Sequence, residues 1–280
     1  MAATLGIGRW RRRLEGVVHG TLAGVLQALP ARVRVGVRER LDVVGRLDDA
    51  TTRVLLAADS LFEYDVRLNS CRKEPGTVRW IGEWLSPGDV LYDVGANVGA
   101  YALLAARRWN GRVPVYAFEP AFTNYAQLCR NVFLNRCDAS VFPLPVALAD
   151  TTRLDTFNHR SLVVGSAMHA FGEAAGSAGG PFDPVYRQTA LGYRLDDFIA
   201  QFGLPAPTHI KIDVDGLEAQ VLAGAERTLK DPALRTVLVE MLTDAADEAA
   251  IVARLEAAGL HRVSVERFGE IAYNALWARA

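Results

Sequence analysis

The sequence predicts an α/β fold: a mostly parallel, doubly wound seven-stranded sheet with a C-terminal antiparallel hairpin and an N-terminal helical and β extension. Three observations carry this. Val90 to Val94 form an apolar, β-favouring run that meets Gly95 and Gly99, and a helical apolar pattern follows over 101–109. That is a buried strand, a tight turn and a helix start. Further apolar runs at 113–118, 140–146, 209–212 and 235–241 alternate with helical patterns, the rhythm of a parallel sheet. The runs at 261–266 and 270–277 then close the chain as a hairpin.

The chain has 280 residues, half of them apolar, and a formal net charge of -1. That suffices for one full α/β core with an extension. The expected division is an extension at 1–70 and a main domain at 71–280 that carries an insertion at 151–190. Near-neutral charge gives no support for a nucleic-acid partner held through phosphates. Cys71, Cys129 and Cys137 form no C-x-x-C pair and read as reduced thiols of a cytoplasmic protein.

No apolar run reaches transmembrane length. Arg9, Arg11, Arg12 and Arg13 precede the apolar stretch 17–31 as in an export signal, but Glu15 and His19 interrupt it, so export is not expected. Trp10, Leu14, Val17, Val18, Leu22, Val25 and Leu29 share one helical face. Such a basic amphipathic helix suits peripheral membrane or partner contact, and packing on its own domain or on the twin of a homodimer explains the same stripe.

From Val35 to Leu68 the pattern is mixed, with Arg53 to Ala57 as a candidate edge strand. A polar turn over 67–76 leads to a helix over 77–85, with Trp80 and Trp84 inward. Glu74 precedes Pro75 at the helix start, where a carboxylate meets the positive dipole end; it could equally face the ligand cleft. A helix over 123–135 should bury Tyr125, Leu128, Val132 and Phe133. Residues 151–190, rich in Gly, Ala and Ser, are expected to be irregular and to overhang the cleft as a lid, with His159, Arg160 and His169 as its polar groups. Helices follow at 195–202, 218–229 and 245–258, the last ended by Gly259.

The ligand site is expected at the strand tips. Gly95 would let the backbone approach a ligand, and the helix start beyond it offers unpaired N–H groups. The spacing is G-x-x-x-G, without the G-x-G-x-x-G of dinucleotide sites or the G-K-S/T of a P-loop. Glu119, ending the second strand, can accept hydrogen bonds from both ribose hydroxyls. Asp93 could meet the ammonium of an amino-acid moiety, and ribose plus amino acid outlines S-adenosylmethionine. Backbone near Val146 and Ala147 would bracket the adenine; Asp138 or Asp150 could reach its amino group, although loop solvation explains either acid. Lys211, Asp213 and Glu218 put three charges at the mouth of a buried strand, which is costly unless they are paired. A Lys211–Asp213 salt bridge without chemistry is the plain alternative.

Asp93-Val-Gly-Ala-Asn-Val-Gly99, Phe118-Glu-Pro120, Ala147-Leu-Ala-Asp150, Leu195-Asp-Asp-Phe198 and Lys211-Ile-Asp-Val-Asp-Gly-Leu-Glu218 occur in that order. Over roughly residues 70–245 they resemble FkbM-type S-adenosylmethionine-dependent methyltransferases; the family usually has Glu where this chain has Asp215. The resemblance implies a Rossmann-like class I methyltransferase fold. It also implies O-methylation of a sugar, glycolipid or other natural-product hydroxyl, releasing S-adenosyl-L-homocysteine. By matching positions, Asp93, Gly95, Asn97 and Gly99 would hold the methionine part, Glu119 the ribose, and Asp213 would lie near the transfer centre. Asp213 is the first choice as base or orienting group, then Lys211 and Glu218, with His159 or His169 as lid-borne competitors. Asp213 and Asp215 would suit Mg²⁺, although a metal is not expected. Competing readings are methyl transfer to a non-hydroxyl acceptor, a non-catalytic or membrane-binding module, and a nicotinamide-dependent oxidoreductase, which should show G-x-G-x-x-G.

Overall fold

The computed structural model describes residues 16–176, 180–242, 247–268 and 272–280. Two compact units separate after Val43. The first carries helix α1 over 16–28 and α2 (Ala31–Arg38). Val17, Val18, Leu22 and Val25 of the expected stripe are exposed; Trp10 and Leu14 lie outside the described residues.

The second unit, 44–280, opens with an antiparallel ribbon of β1 (Val44–Arg46) and β2 (Leu55–Ala57). Then come α3 (Leu61–Asp65), a 3₁₀ turn (Arg67–Asn69), α4 (Ser70–Lys73) and α5 (Pro75–Glu83). Trp80 is buried and its indole N–H donates to Thr236 Oγ1 at 2.9 Å, whereas Trp84 is half-buried. Glu74 does not cap α5. Its carboxylate turns instead to Lys73 Nζ at 3.0 Å, the Thr77 hydroxyl at 3.3 Å and the Asn274 amide at 3.4 Å.

The α/β core alternates β3 (Leu91–Val94), α6 (Ala100–Arg108), β4 (Val115–Phe118), α7 (Phe122–Asn135) and β5 (Val141–Leu144). Residues 147–193 then supply β6 (Ala147–Leu148), β7 (Arg153–His159), β8 (Ala170–Phe171), β9 (Ala175–Gly176), β10 (Gly180–Pro181) and β11 (Tyr186–Tyr193). The core resumes with α8 (Leu195–Phe202), β12 (His209–Ile212), α9 (Glu218–Ala223), α10 (Glu226–Lys230), β13 (Thr236–Leu242), α11 (Glu248–Ala257), β14 (Leu260–Phe268) and β15 (Ala272–Arg279).

Seven strands form one sheet in the order β14-β15-β13-β12-β3-β4-β5. β15 runs antiparallel between β13 and β14, and the other pairings are parallel. This is the expected sheet, in the strand order of class I methyltransferases. Each face buries its own apolar layer. Leu91, Val115, Ala117 and Leu238 pack with Ile81, Leu103 and Leu128 on one side; Tyr92, Phe118, Ile210 and Val239 pack with Phe198, Leu222 and Leu255 on the other.

Three local expectations need correction. Residues 151–190 carry regular strands where none was expected: β7 and β11 pair over seven residue pairs from Tyr186–His159 to Gly192–Arg153, within a four-stranded sheet ordered β6-β11-β7-β8. Helix α7 leaves Phe133 exposed and buries Asn124, Gln127, Asn131 and Asn135. The Asn131 and Asn135 carboxamide oxygens accept the N–H groups of Ala57 (2.8 Å) and Leu55 (2.9 Å), and Gln127 donates to the Ala57 carbonyl (2.9 Å). The stripe is polar because it completes the open edge of β2, whose backbone groups need partners. Lastly, the helix expected over 218–229 breaks at Gly224 and Ala225. Asp196 of α8 accepts the N–H groups of Arg227 (2.8 Å) and Thr228 (2.9 Å), capping α10 separately.

Candidate functional site

Strands β3, β4 and β5 step outward in one direction, and the chain then returns to lay β12 against the other side of β3. That reversal opens a crevice at the carboxyl ends of β3 and β12. Gly95 follows β3 with φ +83°, and a Cβ there would collide with the Asp213 carbonyl. The exit of the neighbouring strand is by itself enough to demand a glycine here, and Gly95 also borders the cavity described next. The N–H groups of Gly95 and Ala96 both donate to the Phe118 carbonyl at 3.0 Å, curling the loop over the tip of β4. Asn97 takes the left-handed region at φ 51°, which Asn tolerates better than most side chains. Its N–H donates to Glu119 Oε2, and the Ala121 N–H donates to Oε1, both at 2.8 Å. A buried carboxylate is thus held rigidly at the end of β4.

Above these tips lies a cavity of about 260 Å³. Of the residues singled out in the sequence, Gly95, Asn97, Glu119, Ala147, His169 and Asp213 line it together, and Asp93, Gly99, Lys211 and Glu218 do not. A Cβ on Gly99 (φ +86°) would strike Leu128 of α7, so that glycine serves helix packing. Asp93 sits in register with Lys211 on the sheet face beneath the loop. Neither of its carboxylate oxygens makes a hydrogen bond. Glu218, at the start of α9, accepts the N–H groups of Val214 and Gly216 at 3.1 Å each and braces the loop that carries Asp213. Neither Asp138 nor Asp150 borders the cavity; Asp150 pairs with Arg153 at 3.2 Å.

Residues 164–168 are tied across the cavity from several elements. The Ser166 carbonyl accepts from the amides of Asn97 (2.9 Å) and Asn124 (3.0 Å). Arg67 Nε donates to the Gly165 carbonyl at 2.7 Å, and the Ser60 hydroxyl donates to the Val164 carbonyl at 3.0 Å. The Met168 N–H donates to Asp215 Oδ2 at 2.6 Å. His169 borders the cavity with its Nδ1 accepting the Arg160 N–H at 3.2 Å, which leaves the ring proton on Nε2, facing the Ser166 hydroxyl at 3.3 Å. His159 is buried among Phe122, Phe157 and Tyr186 and does not reach the cavity.

A model of the Methyltransferase FkbM domain matches residues 93–271. The chain belongs to the FkbM methyltransferase family. It is 32% identical over 179 residues, covering 57% of this chain and 68% of the relative, to the 31-O-demethyl-FK506 methyltransferase FkbM of Streptomyces tacrolimicus. It is 26% identical over 175 residues to the hexuronic acid methyltransferase AglP of Haloferax volcanii, covering 62% of this chain and 65% of that relative. Among solved structures, an FkbM methyltransferase from Methylobacillus flagellatus aligns with a TM-score of 0.48 at 16% identity, over 68% of this chain and 44% of that one. A precorrin-6y C5,15-methyltransferase from Geobacter metallireducens gives 0.43 at 15% identity, over 74% and 86%. At those scores the fold assignment rests on the strand order itself. As an FkbM-family member the chain is an S-adenosylmethionine-dependent methyltransferase. Among the described residues no helix is long and apolar enough to cross a membrane.

The electrostatics of the FkbM-family site separate its carboxylates by role. Burial pushes the Glu119 pKa up to about 7, against its two backbone donors and Arg67. Burial and the Asp213 charge raise Asp215 to about 6, opposed by the Met168 N–H, Arg67 and Lys73. Asp213 goes the other way. Burial would raise it, but Lys211, with Nζ 2.6 Å from Oδ2, and a hydrogen bond with Glu240 hold its pKa well below the usual carboxylate range. Burial opposes the Lys211 charge, yet Asp213, Asp93 and Glu74 keep that ammonium protonated. His169 is pushed down to about 4 by burial and by His159, so it is neutral, with its accepting nitrogen occupied by backbone. Among the described residues no group of three or more His, Cys, Asp or Glu is arranged to hold a metal.

Sequence reasoning missed Phe62, Arg67, Lys73, Asn124 and Glu240 of the cavity wall. Glu240 had a signal: it is an acid inside the apolar strand run Val237 to Met241. Arg67 and Lys73 had none, because a polar turn before the first core strand does not announce the cleft it will border.

Proposed function

We propose that the cleft holds S-adenosylmethionine with its ribose on Glu119 and directs its methyl group to a hydroxyl of a sugar, glycolipid or other natural-product acceptor. The observation that carries this is the buried Glu119 carboxylate, fixed by two backbone N–H groups and facing the cavity. A buried acid without an ion-pair partner, aimed into a cleft, suits a diol that donates two hydrogen bonds. Backbone at Val146 and Ala147 lines the adenine end, and Gly95 with Asn97 the methionine end. Asp93, beneath the loop, acts on this site through Lys211.

Bound there, the sulfonium supplies an electrophilic methyl carbon, so positioning an acceptor oxygen in line accounts for most of the catalysis. Asp213 stays ionised beside Lys211 and accepts the hydrogen bond of the acceptor hydroxyl. Transfer would break the sulfur–methyl bond as the hydroxyl oxygen bonds that carbon, leaving the neutral thioether S-adenosylhomocysteine, and the hydroxyl proton would pass to a carboxylate of the cleft. That proton lies in the hydrogen bond to Asp213 and is relayed to Asp215, whose pKa, raised to about 6, suits a base that keeps it. Asp213, the sequence's first choice, is better suited to orient than to take the proton.

The two named relatives suggest the probes: a hexuronic acid glycoside and a hydroxylated macrolide. Incubation with methyl-labelled S-adenosylmethionine should place label in an alkali-stable ether on one of them. Label in an alkali-labile ester would favour a carboxylate acceptor. Neither product, with no S-adenosylhomocysteine formed, would overturn the reading.

A further inference from the structure

Glu240 lies on β13 and borders the same cavity as Asp213; the β12–β13 register that pairs Ile212 with Val239 makes the two acids neighbours at adjoining strand ends. Two carboxylates present only acceptors, so neighbouring ones can join in a hydrogen bond only with a proton on one. Lys211 decides which one. Its ammonium lies 2.6 Å from Asp213 Oδ2 and favours the ionised form there, which leaves the proton on Glu240. The surroundings point the same way. The pair and its neighbours gather Asp215 from the loop after β12, Asp93 from β3, Glu74 from the start of α5 and Tyr101 from α6, against Lys211 and Lys73. On β15 the residue paired with Glu240 is the neutral Asn274. With acids in excess, neutralising one of them relieves repulsion among the rest.

We infer that Glu240 is a neutral carboxylic acid in the working protein. It donates its proton to Asp213 and so fixes the Asp213 carboxylate as the hydrogen-bond acceptor for the incoming hydroxyl. Glu240 is a positioning residue, and the assignment rests on the reading of the cleft given above. Burial and the Asp213 charge accordingly raise its pKa to about 10. The two carboxyls form a dyad sharing one proton.

The test uses the full chain with Glu240→Gln, which keeps a neutral donor of similar shape, and Glu240→Ala. Near pH 8.5, roughly, the other raised acids are mostly ionised. There the wild type should show the infrared carbonyl stretch of a protonated carboxylic acid, and Glu240→Gln should lack it. Linkage gives a second readout. Folded Glu240 keeps its proton to about pH 10, whereas the unfolded chain loses it near the ordinary glutamate value of 4.5. The native state therefore loses stability as pH rises between those values. The melting temperature of Glu240→Gln should fall less steeply across that window than that of wild type and exceed it at the alkaline end. Identical spectra in wild type and Glu240→Gln, or parallel melting curves at every pH, would overturn the inference. Titration of all three proteins with S-adenosylhomocysteine separates the two ideas. Absent binding throughout contradicts the function and leaves the infrared result standing.

Discussion

Gly95 shows at the level of one residue how the fold itself can require what a motif announces. The glycine was expected to admit a ligand, and the exit of the neighbouring strand demands it on its own. Alanine there must adopt φ +83° and meet the Asp213 carbonyl. The left-handed backbone alone costs about 1–2 kcal/mol, and the collision adds to it. Gly95→Ala should therefore lose at least about 1–2 kcal/mol of stability in urea unfolding. A variant that unfolds like wild type and loses only cofactor binding would restore the ligand-clearance explanation. The acids divide on the same principle. Glu119 and Asp213 were legible because each ends a buried strand, where the fold places ligands. Asp93 was assigned to the ligand because it shares the motif; it lies buried in register with Lys211 and is not among the residues lining the cavity. Glu240 escaped notice because only the sheet order brings β13 beside β12.

Among the elements, the parallel strands and the closing hairpin could be read from apolar period and connection length, since both faces of the sheet are covered by helices. Two elements could not. The sheet over 153–193 has strands only partly buried, and the Gly-rich stretch between them dominated its composition. Helix α7 was read for an apolar face, on the rule that the buried side of a helix is apolar. Its buried side keeps Leu128 and Val132 as expected and adds a ladder of carboxamides serving β2, whose Ala57–Asn131 bond spans 74 residues of sequence. Asn131 also donates to the Val98 carbonyl at 2.9 Å, so one side chain joins the β1–β2 ribbon to the glycine loop. Asn131→Ala leaves those buried backbone groups unpaired, and each costs about 1–3 kcal/mol. Urea denaturation should show a loss of about 2–6 kcal/mol for the two groups together. A change within about 0.5 kcal/mol, the usual scatter of surface substitutions, would mean that the ribbon does not depend on the ladder.

For the whole molecule, the sheet order generates the site: the reversal between β3 and β12 makes the crevice, the β6–β11 sheet and residues 164–168 cover it, and the segment before α5 contributes Arg67 and Lys73 to its wall. The mostly parallel sheet and the FkbM family match were both anticipated, because most of the five motifs mark the strand ends on which the fold depends. The cover over 151–190 was anticipated as a lid, and it supplies Ser166 and His169 to the cavity wall; Phe62, Arg67, Lys73 and Glu240 were not, because residues distant in sequence bring them there. The central claim is that this crevice binds the cofactor through Glu119. Calorimetric titration with S-adenosylhomocysteine tests it on wild type and on Glu119→Ala, with melting temperatures taken to confirm folding. Hydrogen bonds to a charged group are worth about 1.5–3 kcal/mol. Wild type should bind, and the folded variant should bind at least about tenfold more weakly. Equal affinity in the two proteins, or no binding by wild type, would contradict the assignment.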